Sequence, residues 1–132
     1  MKKSLIIFLI LFLSGLIHTD LIAQEASITF HVNLQPELKD STFVPGRDFI
    51  EITGDVFPFS KSGNRLKDDS VPADSIYSIT LNFDRFSVNK TYAYNFIMNI
   101  NGQPRKESMP RQVAIRPGEH ELDALYFDAF AW

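Results

Sequence analysis

The stretch Tyr92-Ala93-Tyr94-Asn95-Phe96-Ile97-Met98-Asn99-Ile100-Asn101-Gly102 decides the fold. Tyr92, Tyr94, Phe96, Met98 and Ile100 take every second position, so in an extended chain they share one face. Ile97 stands among the alternate residues and makes this strand apolar on both faces. Asn101-Gly102 follows at once, and both residue types tolerate the positive φ of a tight hairpin turn.

The period of two recurs on either side. Ile28, Phe30, Val32 and Leu34 alternate with Ser27, Thr29, His31 and Asn33. Ile50 and Ile52 alternate with Glu51 and Thr53 until Gly54 stops the run. Tyr77, Ile79, Leu81 and Phe83 alternate with Ser78, Thr80 and Asn82. Val113 and Ile115 mark a shorter strand, and Leu122 to Asp128 reads as a last one of mixed face, expected to be covered on both sides. Pro117-Gly118 suits the centre of a type II turn. The polar stretch Ser60 to Asp74 reads as a long loop, and only Pro36 to Ser41 offers a helical turn. Short strands with frequent turn signals predict an all-β antiparallel sandwich of six to eight strands.

The first residues carry a different signal. Lys2 and Lys3 precede the apolar run Leu5 to Ile17, and Ala23 stands before Gln24. A basic start, a short apolar core and a small residue at the cut predict a cleavable signal peptide over residues 1–23. The run is too short for a bilayer span, which needs about 20 apolar residues. Residues 24–132 are then expected to form a single exported domain, periplasmic or secreted. With no Cys in the chain, stability falls to the hydrophobic core, for which the ten Phe after residue 23, of 12 in the chain, supply enough bulk. The net charge of −3 speaks against nucleic acid as a partner, since that needs clustered Lys and Arg.

Several segments stand in a telling order: Thr42-Phe43-Val44-Pro45, then Ile50-Glu51-Ile52-Thr53-Gly54-Asp55, then Asp74-Ser75-Ile76-Tyr77. Tyr92-Ala93-Tyr94-Asn95-Phe96 and Asn101-Gly102 follow, then Glu107 with Pro110-Arg111, and finally Tyr126-Phe127-Asp128. In this order, from Ile28 to Asp128, the chain resembles the starch-binding type of carbohydrate-binding module and its glycogen-binding relatives. The resemblance implies an immunoglobulin-like sandwich of exported bacterial proteins. It also implies a sugar platform made of one Trp a few residues beyond Gly-Asn and a second just before the Glu. Phe59 falls at the first of these positions, and Arg105 or Lys106 at the second. A smaller ring still stacks on a sugar face, whereas Arg and Lys replace stacking with hydrogen-bond donation.

Phe57, Phe59, Arg105, Lys106 and Glu107 are therefore the candidate carbohydrate-binding residues. Each has a plainer alternative. The Phe rings of Phe57-Pro58-Phe59 fold back over the sandwich edge, as large apolar side chains usually do, and the charged run is a solvated face. Tyr92 and Tyr94 read as core rings whose hydroxyls reach the rim. His120 with Glu119, Glu121 and Asp123 suggests a metal site, but alternation along a strand lets only two of the four converge. Neither a metal nor any other cofactor is expected. There is no Cys nucleophile, no His-Glu-x-x-His and no Gly-rich phosphate loop, and a lone sandwich has little depth for a glycosidase cleft. The expectation is a non-enzymatic domain that binds a glucan-type polysaccharide or oligosaccharide. The alternative is a degenerate carbohydrate-binding-like sandwich serving as a protein-interaction or structural module of the cell envelope, with an envelope protein as partner.

Overall fold

A computed structural model describes residues 25–130. The expected signal peptide and Trp132 lie outside them. Nine strands and one helix follow in chain order: β1 (Ala26–Asn33), α1 (Gln35–Lys39), β2 (Phe49–Thr53), β3 (Arg65–Leu66), β4 (Ile76–Phe83), β5 (Thr91–Ile100), β6 (Gln103–Lys106), β7 (Arg111–Ala114), β8 (Gly118–Glu121) and β9 (Leu125–Tyr126). They form two sheets, β4-β1-β8 with β9 also on β1, and β3-β2-β5-β6 with β7 also on β5. The architecture is the β-sandwich that the alternation implies, with two very short strands, β3 and β9, beyond the expected range.

Alternation explains the strands directly. β1 buries Ala26, Ile28, Phe30 and Val32 and leaves the residues between them partly exposed. β2 buries Ile50 and Ile52 in the same way. β5 pairs antiparallel with β2 through Phe49↔Asn99 to Thr53↔Asn95, and Asn101 and Gly102, at φ of 49° and 80°, turn it into β6. The long loop after β2 is less irregular than its polarity suggests, because Arg65 and Leu66 pair with β2 and Leu66 is buried.

Two expectations need correction. The sandwich is not wholly antiparallel, since β8 and β9 both run parallel to β1. Pro117-Gly118, with Gly118 at φ 89°, carries the chain from β7 in one sheet to β8 in the other. The expected strand from Leu122 to Asp128 is also broken: β8 ends at Glu121 and β9 holds only Leu125 and Tyr126. Both strands lie along the flank of β1; Leu125 and Tyr126 are exposed, while Phe127 is buried and Leu122 packs partly buried against the core.

Aromatic rings fill the centre. Phe59 stacks on Tyr94 at 5.4 Å between centroids and meets Phe30 and Phe83 edge-on at 5.6 and 5.5 Å. Each such pair contributes roughly 0.5–1.5 kcal/mol beyond the area it buries. The contacts bring the loop after β2 against the end of β4 at one end of the sandwich.

Candidate functional site

The five proposed sugar contacts do not form one site. Phe59 is 1% exposed, so the ring placed at the first platform position is core rather than ledge. It is held inward by the loop itself: Asn64 Nδ2 donates to Pro58 O, and Asn64 O accepts from Ile52 N–H. Gly54 makes room for the turn, because a Cβ there would stand 2.8 Å from both Ala93 O and Phe59 Cβ. Phe57 is 66% exposed and keeps its solvent face, without Phe59 beside it.

Arg105, Lys106 and Glu107 are separated by strand geometry. Lys106 pairs with Ile97, and Arg105 pairs with the buried Met98. Successive side chains point to opposite faces, so Lys106 shares the outer face with Ile97. The Arg105 guanidinium instead lies 5.8 Å from the Phe127 ring centroid. Glu107 is buried and structural: its carboxylate accepts the Phe96 and Asp128 N–H groups, each at 2.9 Å, and pairs with Arg111. A carboxylate so fully occupied has no capacity left for a sugar hydroxyl.

The register assembles another surface on the outer face of the second sheet. One row across it runs Arg65, Glu51, Ile97, Lys106, and the next runs Phe49, Asn99, Pro104. Directly paired residues share a face about 5 Å apart. Phe49, Ile97 and Pro104 thus form an apolar floor bordered by Glu51, Asn99 and Lys61, in a groove of about 320 Å³. The Arg65 guanidinium stands 3.7 Å from the Phe49 ring centroid, a cation–π contact that fixes the ring's orientation. Lys106 stands next to this floor and lines a second groove of about 510 Å³ with Gly54, Asp55 and Asn95.

Phe49, Glu51, Arg65 and Asn99 escape a reading of short motifs because they sit on three strands and meet only through register. Ile97 was the available signal: an apolar residue on the solvent phase of a strand marks a patch that something covers. Among the described residues no group of three or more His, Cys, Asp and Glu is placed to hold a metal ion. His120 donates instead to Pro117 O at 2.8 Å.

No family model and no curated protein sequence matches the chain. Among solved structures, a glucoamylase of Hormoconis resinae superposes with a TM-score of 0.57 at 12% identity, over 83% of this chain and 18% of that one. At such identity the likeness is one of fold. The chain spans less than a fifth of the glucoamylase's length.

Proposed function

We propose that the chain is an exported carbohydrate-binding domain, and that it engages a glucan-type polysaccharide, without acting on it, with the outer face of the five-stranded sheet. The observation that carries this is the floor of Phe49, Ile97 and Pro104 with Glu51, Asn99 and Lys61 at its border. A sugar ring presents an apolar C–H face and a rim of hydroxyls. The floor suits the first, while a carboxylate acceptor, an amide and an ammonium donor suit the second. The likeness to a glucoamylase fold supports the same ligand class. The groove is shallow, so affinity would come from several sugar units lying along the face.

Electrophoresis of the purified protein through gels containing soluble glucans tests this. The wild type should be retarded, and Asn99→Ala with Glu51→Ala should lose at least tenfold in affinity, whereas Phe57→Ala should not. If no glucan retards the protein, or the double variant is retarded equally, the reading fails. The alternative, an envelope-protein contact, draws on Phe57 and Phe86. Both are more than 60% exposed, on loops that leave β2 and β4 at the same end of the sandwich.

A further inference from the structure

The outer face of the first sheet carries a different chemistry. Antiparallel pairing sets His31 opposite Ser78, and an isolated antiparallel bridge sets Ser78 opposite Lys67. His31, Ser78 and Lys67 therefore form a row on one face. β8 runs alongside β1 and supplies Glu121, paired with Thr29 two residues before His31 on the same face. The side chains meet. His31 Nδ1 is hydrogen-bonded to Ser78 Oγ, and His31 Nε2 lies 2.5 Å from Glu121 Oε1.

The bonding fixes the tautomer of the neutral ring. A carboxylate only accepts, so Nε2 carries the hydrogen, and Nδ1 is left with the lone pair that takes the Ser78 hydroxyl proton. This is the division of labour of a Ser-His-carboxylate triad with the two ring nitrogens exchanged. All three groups line a groove of about 710 Å³, together with Lys67, Asp69 and Asp74, a volume suited to a small organic ligand.

We propose that Ser78 is the nucleophile of an ester-hydrolysing site, with His31 as its general base and Glu121 as the positioning residue that holds the ring. Ser78 Oγ attacks the ester carbonyl carbon while His31 Nδ1 takes the hydroxyl proton. The bond from carbon to the alcohol oxygen then breaks, and the departing alkoxide takes the proton from Nδ1, leaving acyl-Ser78. A water oxygen attacks the acyl carbon as Nδ1 receives its proton, and that proton returns to Ser78 Oγ when the carboxylic acid leaves. Lys67, on the same face as Ser78, is the cation available to the developing oxyanion.

Asp69, Asp74, Asp123 and Glu121 make the groove electronegative. The substrate class is thus an ester of a small neutral acid, such as an acetyl group on a hydroxylated ligand, and not an anionic acyl chain. The site stands apart from the sugar-binding face and does not depend on it.

The test uses the purified full chain, p-nitrophenyl acetate and an alkyl fluorophosphonate, with no sugar present. Wild type should turn over the ester and be labelled at Ser78 by the fluorophosphonate, as read by peptide mass spectrometry. Ser78→Ala should return to the buffer rate, and His31→Ala should lose about a hundredfold or more, both with unchanged circular dichroism. Glu121→Gln should lower kcat with KM nearly unchanged, because the ring loses the carboxylate that orients it while the groove that receives the ester is kept. A folded Ser78→Ala protein that keeps the rate, or a wild type that neither turns over nor takes the label at Ser78, would overturn the proposal.

Discussion

Arg111 meets Glu107 inside the sandwich, with Nη2 2.6 Å from Oε2 and Nε 2.9 Å from Oε1. The pair ties β7 to the segment leaving β6. Through Asp128 N–H on the carboxylate and Tyr126 O on the guanidinium, it also fastens the end of the described chain. Removing one partner leaves a buried charge uncompensated. Glu107→Ala is expected to cost about 3–5 kcal/mol in urea unfolding. Glu107→Leu with Arg111→Met should cost less than the sum of the single changes.

Phe59→Ala removes the central ring and should cost about 3–5 kcal/mol. Phe57→Ala, two positions away, should stay within about 0.5 kcal/mol. Equal midpoints in denaturant for the two variants would contradict the packing described.

Gly54→Ala places a methyl 2.8 Å from a backbone oxygen, which cannot swing aside as a flexible side chain would. Strain of about 1–3 kcal/mol is expected, read as a lowered melting temperature with the β-type circular dichroism retained.

Burial pushes the Tyr94 hydroxyl up to about 12, with Arg111 partly opposing the shift. The unfolded chain ionises nearer 10, so the folded state holds this proton more tightly. The associated stability is complete below pH 10 and is lost as pH rises from 10 towards 12, on the order of 3 kcal/mol. Urea midpoints measured over that range should fall for the wild type and fall less for Tyr94→Phe.

The strands most legible in the sequence were those buried on one face. β1, β2, β4 and β5 each bury alternate residues or nearly so, and period two needs no further information. β6 escaped because Gln103, Pro104, Arg105 and Lys106 are all exposed at an edge and carry no apolar phase. β3 escaped because two residues are too few to show a period. Telling Phe57 from Phe59 required the close approach at Gly54, which depends on a strand distant in sequence. The proposed face lay beyond motif reading for the same reason: Glu51 and Asn99 sit on neighbouring strands, and only the pairing register makes them neighbours.

β8 and β9 run parallel to β1, with Gly118 opposite Ala26 and Tyr126 opposite Asn33. Beyond Tyr126 the described chain turns back onto Arg111, whose guanidinium reaches the Tyr126 and Ala129 carbonyls. A pull on that end would therefore load the buried latch first, and β9 would slide along β1 only after the latch had yielded.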